Sequence, residues 1–259
     1  MTSLHVHRFG PPSPVRLLAL HGLTGHGRRW QHLVDRHLPE IAVAAPDLIG
    51  HGHSSWDAPW TIDANVRALA ALLEREAGDP VVVVAHSFGS AVALQLAAAH
   101  PGRVASLVLL DPAVGLGGAW MREIADAMLA SPDYSNVAEA RAAKTNGSWA
   151  GVDPVVVDAE IDQHLVALSG GRCAWRLSMP AMMSYWSELA REIVLPPKGI
   201  GTTLVRAAWT SPPYVTDHLV SALREQLGQD FRHLTFDCDH MVAETKPAEV
   251  AALIRERMA

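Results

Sequence analysis

The chain has 259 residues, of which 49% are hydrophobic and 19% are charged, and its formal net charge is −6. These values are typical of a water-soluble globular protein. No Lys/Arg-rich run occurs along the chain, which argues against a nucleic-acid partner. No segment approaches the roughly 20 consecutive apolar residues that a membrane span needs. We therefore expect at most a transient contact with a lipid surface.

The chain contains two cysteines, Cys173 and Cys238, which are too few for a disulfide framework or a cysteine-rich metal site. Residues 1–7 lack the basic stretch and the following apolar run of a secretory signal peptide. Together these features predict a reduced, cytoplasmic setting.

Short apolar runs alternate with helical patterns in the first part of the chain. The runs are typical of buried parallel strands because each is continuous and is bounded by Gly, Pro, Asp or His. They are Leu17–Leu20, Ala42–Ala45, Val81–Ala85 and Ser106–Leu110. Helices are predicted over Ile62–Ala77 and Ser90–Ala99. This alternation predicts an α/β fold with a mostly parallel sheet between layers of helices.

The pattern changes between residues 112 and 201, where no strong strand is predicted. Four helix-like pieces lie there: Ala119–Ala130, Val137–Lys144, Val155–Leu168 and Met182–Ile193. We expect a helical cap over residues 112–201, inserted between a first core part (1–111) and a second core part (202–259).

The second core part is predicted to hold two further strands, Thr202–Ala208 and His233–Phe236, with the helix Thr216–Leu227 between them. A last helix is predicted over Thr245–Met258, with Thr245 as its N-cap.

The most informative motif is Ala85-His86-Ser87-Phe88-Gly89, directly after a predicted strand and before a predicted helix. This context is the one that a nucleophile elbow requires, with small residues two positions before and after the serine. Ala85 stands where glycine is usual, and it is still small. The motif predicts Ser87 as a nucleophile.

A second motif, His21-Gly22-Leu23-Thr24-Gly25, follows the strand Leu17–Leu20. Attack on an ester generates an oxyanion, which two backbone N–H groups can stabilise. We predict that Leu23 and Phe88 supply them, and that His21 orients the loop rather than shuttling protons.

A third motif places His240 after the strand His233–Phe236 and before the last helix. Active sites of α/β proteins collect at the carboxyl ends of the strands. His240 is therefore predicted to be the general base for Ser87.

These three motifs, together with Pro46–Ser54, resemble those of the α/β-hydrolase superfamily over nearly the whole chain. Within it, the chain resembles mycobacterial lipases and esterases of the lipase V type. The resemblance implies hydrolysis of acyl esters with no metal ion and no organic cofactor. It also implies that the turn Gly50–His53 supports the oxyanion loop, so its histidines are expected to shape that loop rather than bind a metal.

A serine and a histidine of this kind act with an acidic residue as a catalytic triad. The sequence indicates this acidic residue less directly than the other two. In the family it most often follows the strand that corresponds to Thr202–Ala208, but Thr210 and Ser211 stand at that position here. In other members it follows the strand after the elbow, which in this chain gives Asp111. An Asp before Pro can also simply cap a turn. Asp217 is a weaker candidate because it falls in the first turn of a predicted helix, and Asp239 is adjacent to His240.

The sequence thus predicts a serine carboxylesterase or lipase that acts on a small ester with an apolar acyl chain. Thioesterase, lactonase and carbon–carbon hydrolase activities use the same groups and are alternative functions. A further alternative is a receptor that binds a small molecule without catalysis. Several cap residues are large and apolar, and packing of the cap explains any single one of them. They are Trp120, Trp149, Trp175, Met179, Met182, Met183, Tyr185 and Trp186.

Overall fold

The computed structural model describes residues 3–259, so residues 1 and 2 of the predicted first core part lie outside it. The central sheet has seven strands in the order β1-β3-β2-β4-β5-β8-β9. The strand β1 is antiparallel to β3, and the other neighbours are parallel. The strands are β1 Val6–Phe9, β2 Leu17–Leu20, β3 Val43–Pro46, β4 Val81–His86, β5 Val104–Leu110, β8 Gly201–Ala207 and β9 Phe231–Phe236.

The α-helices lie on both faces of this sheet and above its carboxyl edge. They are α1 Gln31–His37, α2 Ile62–Glu76, α3 Phe88–Ala99, α4 Gly118–Ala130, α5 Val137–Thr145, α6 Pro154–His164, α7 Met179–Glu188, α8 Asp217–Leu227, α9 Val242–Thr245 and α10 Pro247–Met258. No helix within residues 3–259 combines the length and the apolar character that crossing a bilayer requires.

Strand residues alternate between two cores because successive side chains of a strand point to opposite faces. In β2, Leu18 and Leu20 belong to the core beneath α2, α3 and α8, whereas Leu17 and Ala19 belong to the core beneath α1 and α10. Both faces are therefore covered. This explains why the strands appear in the sequence as continuous apolar runs. The predicted α/β fold, with a mostly parallel sheet between layers of helices, is confirmed.

Between residues 112 and 201 lie α4 to α7, as the helical patterns predict, and also a small hairpin that they do not. Its strands are β6 Leu165–Ala167 and β7 Cys173–Trp175, paired antiparallel. The prediction of no strand here is wrong, and the predicted helix over Val155–Leu168 ends at His164. Three-residue strands leave no periodic pattern, and their pairing is a tertiary event.

Three further elements were not predicted: β1, which joins the edge of the sheet, and the short helices α1 and α9. At the other end of the chain, Thr245 is not the N-cap of the last helix. It is the last residue of α9, and its hydroxyl donates to the Met241 carbonyl at 2.8 Å. The helix α10 begins only at Pro247, where the missing N–H of proline costs no hydrogen bond.

Candidate active site

Ser87 occupies the sharp turn between β4 and α3. Its backbone has φ +52° and ψ −120°, a strained conformation for a residue other than glycine. The turn is held by Ser87 N–H, which donates to the Leu110 carbonyl at 3.0 Å. A Cβ at Gly89 would lie 2.6 Å from the His21 carbonyl oxygen, so only glycine lets α3 pack this closely on β2. This is the geometry that the elbow motif predicts.

His240 and Asp111 meet at the carboxyl edge of the sheet. The Nδ1–H of His240 donates to Asp111 Oδ2 at 2.6 Å. Asp111 follows β5 with φ +41°, and it is 1% exposed. A carboxylate in this position fixes the imidazole tautomer that leaves Nε2 free to accept a proton.

The Asp111 carboxylate is held by one donor at the end of β8 and one in the loop that follows. Ala207 N–H donates to Oδ1 at 3.0 Å, and the Thr210 hydroxyl donates to Oδ2 at 3.2 Å. Thr210 stands where the resemblance most often places the acid, and here its hydroxyl donates to the carboxylate that follows the neighbouring strand. These donors compensate the burial of the charge.

The other two acid candidates face elsewhere. The Asp217 side chain is 98% exposed and lies 3.7 Å from Arg206. It occupies the first turn of α8, which Thr216 caps. Asp239 accepts the backbone N–H of His240 at 2.7 Å and does not contact the imidazole. Of the three carboxylates, only Asp111 reaches the His240 ring.

Ser87 and His240 lie at the same edge of the sheet. Within residues 3–259, no hydrogen bond joins Ser87 Oγ to His240 Nε2. In free enzymes such catalytic contacts are often long and tighten only when substrate binds.

The two predicted oxyanion donors flank Ser87. The turn after β2 is closed by Gly25 N–H, which donates to the Gly22 carbonyl at 3.0 Å. A Cβ at Gly22 would lie 2.9 Å from the Ser87 Cβ, so this turn lies against the elbow. Among the described residues, neither Leu23 N–H nor Phe88 N–H donates a hydrogen bond to another protein group. Both donors are therefore available to an oxyanion.

His21 fixes this turn through two hydrogen bonds, as expected of a residue that orients the loop. It is 1% exposed, its Nδ1–H donates to the Gly22 carbonyl at 2.8 Å, and its Nε2 accepts from Leu48 N–H at 2.9 Å. Burial, reinforced by nearby His51, holds the pKa of His21 well below its usual value. A neutral imidazole is what this pair of contacts requires.

Two residues beside His240 were not singled out from the sequence. The His86 Nε2–H donates to the His240 carbonyl at 2.8 Å, and the Tyr214 ring lies 4.4 Å from the His240 ring. Burial, followed by the proximity of His240, holds the pKa of His86 well below its usual value, so His86 stays neutral beside the base. His86 could have been singled out from the sequence because it is adjacent to Ser87. Nothing in the sequence around Tyr214 indicates a position beside His240.

A cavity of about 360 Å³ lies between the oxyanion turn and the cap. Its walls are about equally polar and apolar, and they include Thr24, Lys144, Trp149, Trp175, Met179 and Trp186. A larger cavity of about 690 Å³ lies on the other side of Trp149, and most of the side chains around it are polar or charged. Neither lining includes Ser87, Asp111 or His240, but Thr24 places the smaller cavity next to the predicted oxyanion donors.

Among residues 3–259, one group of side chains with metal-ligand spacing lies beside the turn Gly50–His53 but includes neither of its histidines. Ligand atoms of His5, His7 and Asp47 lie within 4.8 Å of one another. Asp47 already accepts the N–H groups of Gly27 and His53 at 2.7 and 2.8 Å, which accounts for its burial. The Nδ1–H of His51 donates to the Ile49 carbonyl at 3.1 Å.

The fold and this arrangement define a class of protein. A family model described as alpha/beta hydrolase family matches residues 17–253. The chain belongs to the alpha/beta hydrolase family.

Particular relatives are also similar. The chain is 64% identical over 255 residues to "Lipase LipV" of Mycobacterium tuberculosis, covering 98% of this chain and 97% of that protein. Among solved structures, E-2-(acetamidomethylene)succinate hydrolase has a TM-score of 0.82 at 19% identity, covering 98% of this chain and 94% of its own. A marine microorganism esterase has a TM-score of 0.79 at 19% identity, covering 99% of each chain. The structural likenesses, at these identities, show the fold.

Proposed function

We propose that the chain is a serine hydrolase of carboxylic esters, with Ser87 as nucleophile, His240 as general base and Asp111 as the acid that orients it. The observation that carries the proposal is the 2.6 Å contact between His240 Nδ1 and Asp111 Oδ2, beside a serine in a strained elbow. The relative named a lipase, which matches over nearly the full length, supports the ester as substrate class.

The reaction proceeds in two acyl-transfer steps. His240 Nε2 takes the Ser87 proton while Ser87 Oγ attacks the ester carbonyl, and the imidazolium then protonates the leaving alcohol. Leu23 N–H and Phe88 N–H stabilise the oxyanion, where loss of one donor typically costs about 3 kcal/mol of barrier. A water molecule activated by His240 then attacks the acyl-enzyme and regenerates Ser87.

The acyl chain is proposed to occupy the cavity of about 360 Å³ under the cap. Thr24 belongs both to this cavity and to the oxyanion turn, so a chain bound there would leave its carbonyl next to Leu23 N–H. Met and Trp walls adapt to different chain shapes. Exposed apolar residues at the cap surface, Leu129 and Val137, are consistent with a transient contact with a lipid surface.

The test is hydrolysis of p-nitrophenyl esters from acetate to palmitate by the wild type and Ser87→Ala, with Ser221→Ala as the matched control on an exposed face of α8. We expect turnover by the wild type and the control. Ser87→Ala should lose all but a residual rate, a fall of about 10⁶-fold where the nucleophile of such a triad is removed.

Other outcomes would point elsewhere. A wild type that reacts with a fluorophosphonate at Ser87 but leaves every ester intact would favour a thioester, lactone or diketone substrate. A chain that binds a ligand without turnover and without labelling would be a receptor.

We keep a reduced, cytoplasmic setting as part of the proposal, since Cys173 and Cys238 are both free and buried.

A further inference from the structure

A cluster of charged side chains lies between the cap and the core, next to the oxyanion turn. The Glu160 carboxylate on α6 accepts hydrogen bonds from Arg29 Nε at 3.0 Å and from Arg29 Nη2 at 2.6 Å, which makes the contact bidentate. It also accepts from Lys144 Nζ on α5 at 2.7 Å and interacts with His26 Nε2 at 3.0 Å. All four side chains are less than a tenth exposed. Burying such a group is not an efficient way to gain stability, which suggests another role.

The charge state of Glu160 is set by its partners. Burial opposes its ionisation, but Arg29 and Lys144 hold the pKa of the carboxyl well below its usual value. The carboxylate is therefore ionised at neutral pH. It provides a fixed anchor for the Arg29 guanidinium, whose planar fork matches it.

Arg29 also reaches the oxyanion turn. Its Nη2 donates to the Thr24 carbonyl at 2.9 Å. A Cβ at Gly25 would lie 2.7 Å from Arg29 Nη1, so the guanidinium packs closely against the turn. Thr24 has φ +62°, an unfavourable conformation for a β-branched residue. Such backbone persists only where surrounding contacts hold it.

We propose that Arg29 and Glu160 are positioning residues for the oxyanion hole. Glu160 in the cap fixes the guanidinium, the guanidinium fixes the Thr24 carbonyl, and the turn then presents Leu23 N–H to the reacting carbonyl. The inference rests on the proposed function. It makes seating of the cap a condition for a complete oxyanion hole, because the anchor belongs to α6 and the turn belongs to the core.

The test uses Glu160→Gln, with Asp158→Asn as the matched control. Both replace a carboxylate of α6 by its amide. Asp158 pairs with Arg141 of α5 at an exposed position and so joins the same two helices without contacting Arg29. Two quantities are measured: kcat and KM for p-nitrophenyl acetate per Ser87 titrated by a fluorophosphonate, and amide hydrogen exchange in residues 21–26.

We expect Glu160→Gln to lower kcat per titrated site by about ten- to a hundredfold, a part of what losing an oxyanion donor costs. KM should stay within about threefold, because the contact acts on the transition state. Exchange in residues 21–26 should accelerate. Asp158→Asn should change none of these.

A second variant guards against a folding defect. Arg29→Lys keeps the buried positive charge, but a single ammonium cannot reproduce the bidentate contact with Glu160 and the contact with Thr24. It should show the same loss of kcat and the same faster exchange. Wild-type kcat and unchanged exchange in both variants would mean that the cluster only fastens the cap.

The exchange measurement does not depend on turnover. Esters left intact by the wild type would therefore overturn the proposed function alone. Unchanged exchange in residues 21–26 would overturn the positioning role, whatever the substrate proves to be.

Discussion

The carboxylate that contacts His240 comes from the strand next to the elbow, and its own backbone explains how it reaches. Asp111 has φ +41°, and its N–H donates to the Val205 carbonyl at 2.7 Å. This left-handed turn directs the side chain across the end of β8, where Ala207 N–H and the Thr210 hydroxyl bind it. One residue thus links the strand after the elbow to the strand that usually supplies the acid.

Replacing Asp111 by Asn should lower kcat by roughly 10³- to 10⁴-fold with little change in KM, because the amide no longer fixes the productive imidazole tautomer. Ester hydrolysis by the purified variant measures this. The control is Asp239→Asn, whose amide oxygen can still accept His240 N–H. It should lose less than about tenfold in activity. If Asp239→Asn proved the more damaging change, the acid would have been assigned to the wrong carboxylate.

At the scale of elements, the site depends on how closely α3 approaches β2. Gly89 in the first turn of α3 lies against the Leu20 and His21 carbonyl groups, at the point where β2 turns into the oxyanion loop. The same close approach brings Gly22 next to Ser87. Packing of these elements therefore sets the distance between the nucleophile and the oxyanion donors.

The substitution Gly89→Ala should lower the free energy of unfolding by about 1–3 kcal/mol, since its Cβ would overlap two backbone oxygens. Urea denaturation measures this. Gly102→Ala serves as control, because a Cβ there meets nothing within 4 Å, and it should stay within about 0.5 kcal/mol of wild type. Equal stability of the two variants would contradict the packing argument.

The cap supplies the cavity next to the oxyanion turn, and Ala127 on α4 lines it. Ala127→Phe should fill the cavity and lower kcat/KM for decanoate and longer p-nitrophenyl esters by about tenfold or more, leaving acetate near wild type. Ala127 and Ala130 are both exposed, but Ala130 does not line the cavity, so Ala130→Phe adds the same ring to the same helix and should leave the profile unchanged. An Ala127→Phe profile parallel to wild type would move the acyl site elsewhere.

At the scale of the whole molecule, five buried histidines make stability depend on pH, and burial lowers the pKa of each, including His26. Burial holds the pKa of His51 at about 4. Burial is also the largest cause that keeps the pKa values of His21, His86 and His164 well below their usual value. The folded chain therefore resists protonation that the unfolded chain accepts below about pH 6.5. Stability present above that pH is lost as the pH falls towards the folded-state values.

We expect the free energy of unfolding to decrease as the pH is lowered from 7 to 4.5. The His51 shift alone is worth about 3 kcal/mol at the acid limit. Urea titrations across this range measure it. His164→Phe removes one buried imidazole, which stacks on His26 at 4.5 Å, and should flatten the dependence. The exposed His218→Gln should not. A stability independent of pH over this range would contradict the neutral, buried state of these histidines.

The class of fold and the candidate residues at three strand ends could be predicted from the sequence alone. Continuous apolar runs identified β2 to β5 and β8 because both faces of these strands are buried. Local motifs identified Ser87, His240 and the turn with Leu23, since an elbow and a Gly-rich turn must be encoded by neighbouring small residues. Asp111 was reached only with the help of a family resemblance.

Features that depend on contacts between distant segments could be recognised only in the folded chain. The hairpin of β6 and β7, the edge strand β1 and the Tyr214 ring on His240 have no local signature, because each is defined by its partner. The hydrogen bond from Thr210 to Asp111 has no local signature either. The same is true of the ion pair between Arg29 and Glu160, whose residues are 131 positions apart. A charge can be read from a sequence, but whether it is buried and paired is decided by the folding of the whole chain.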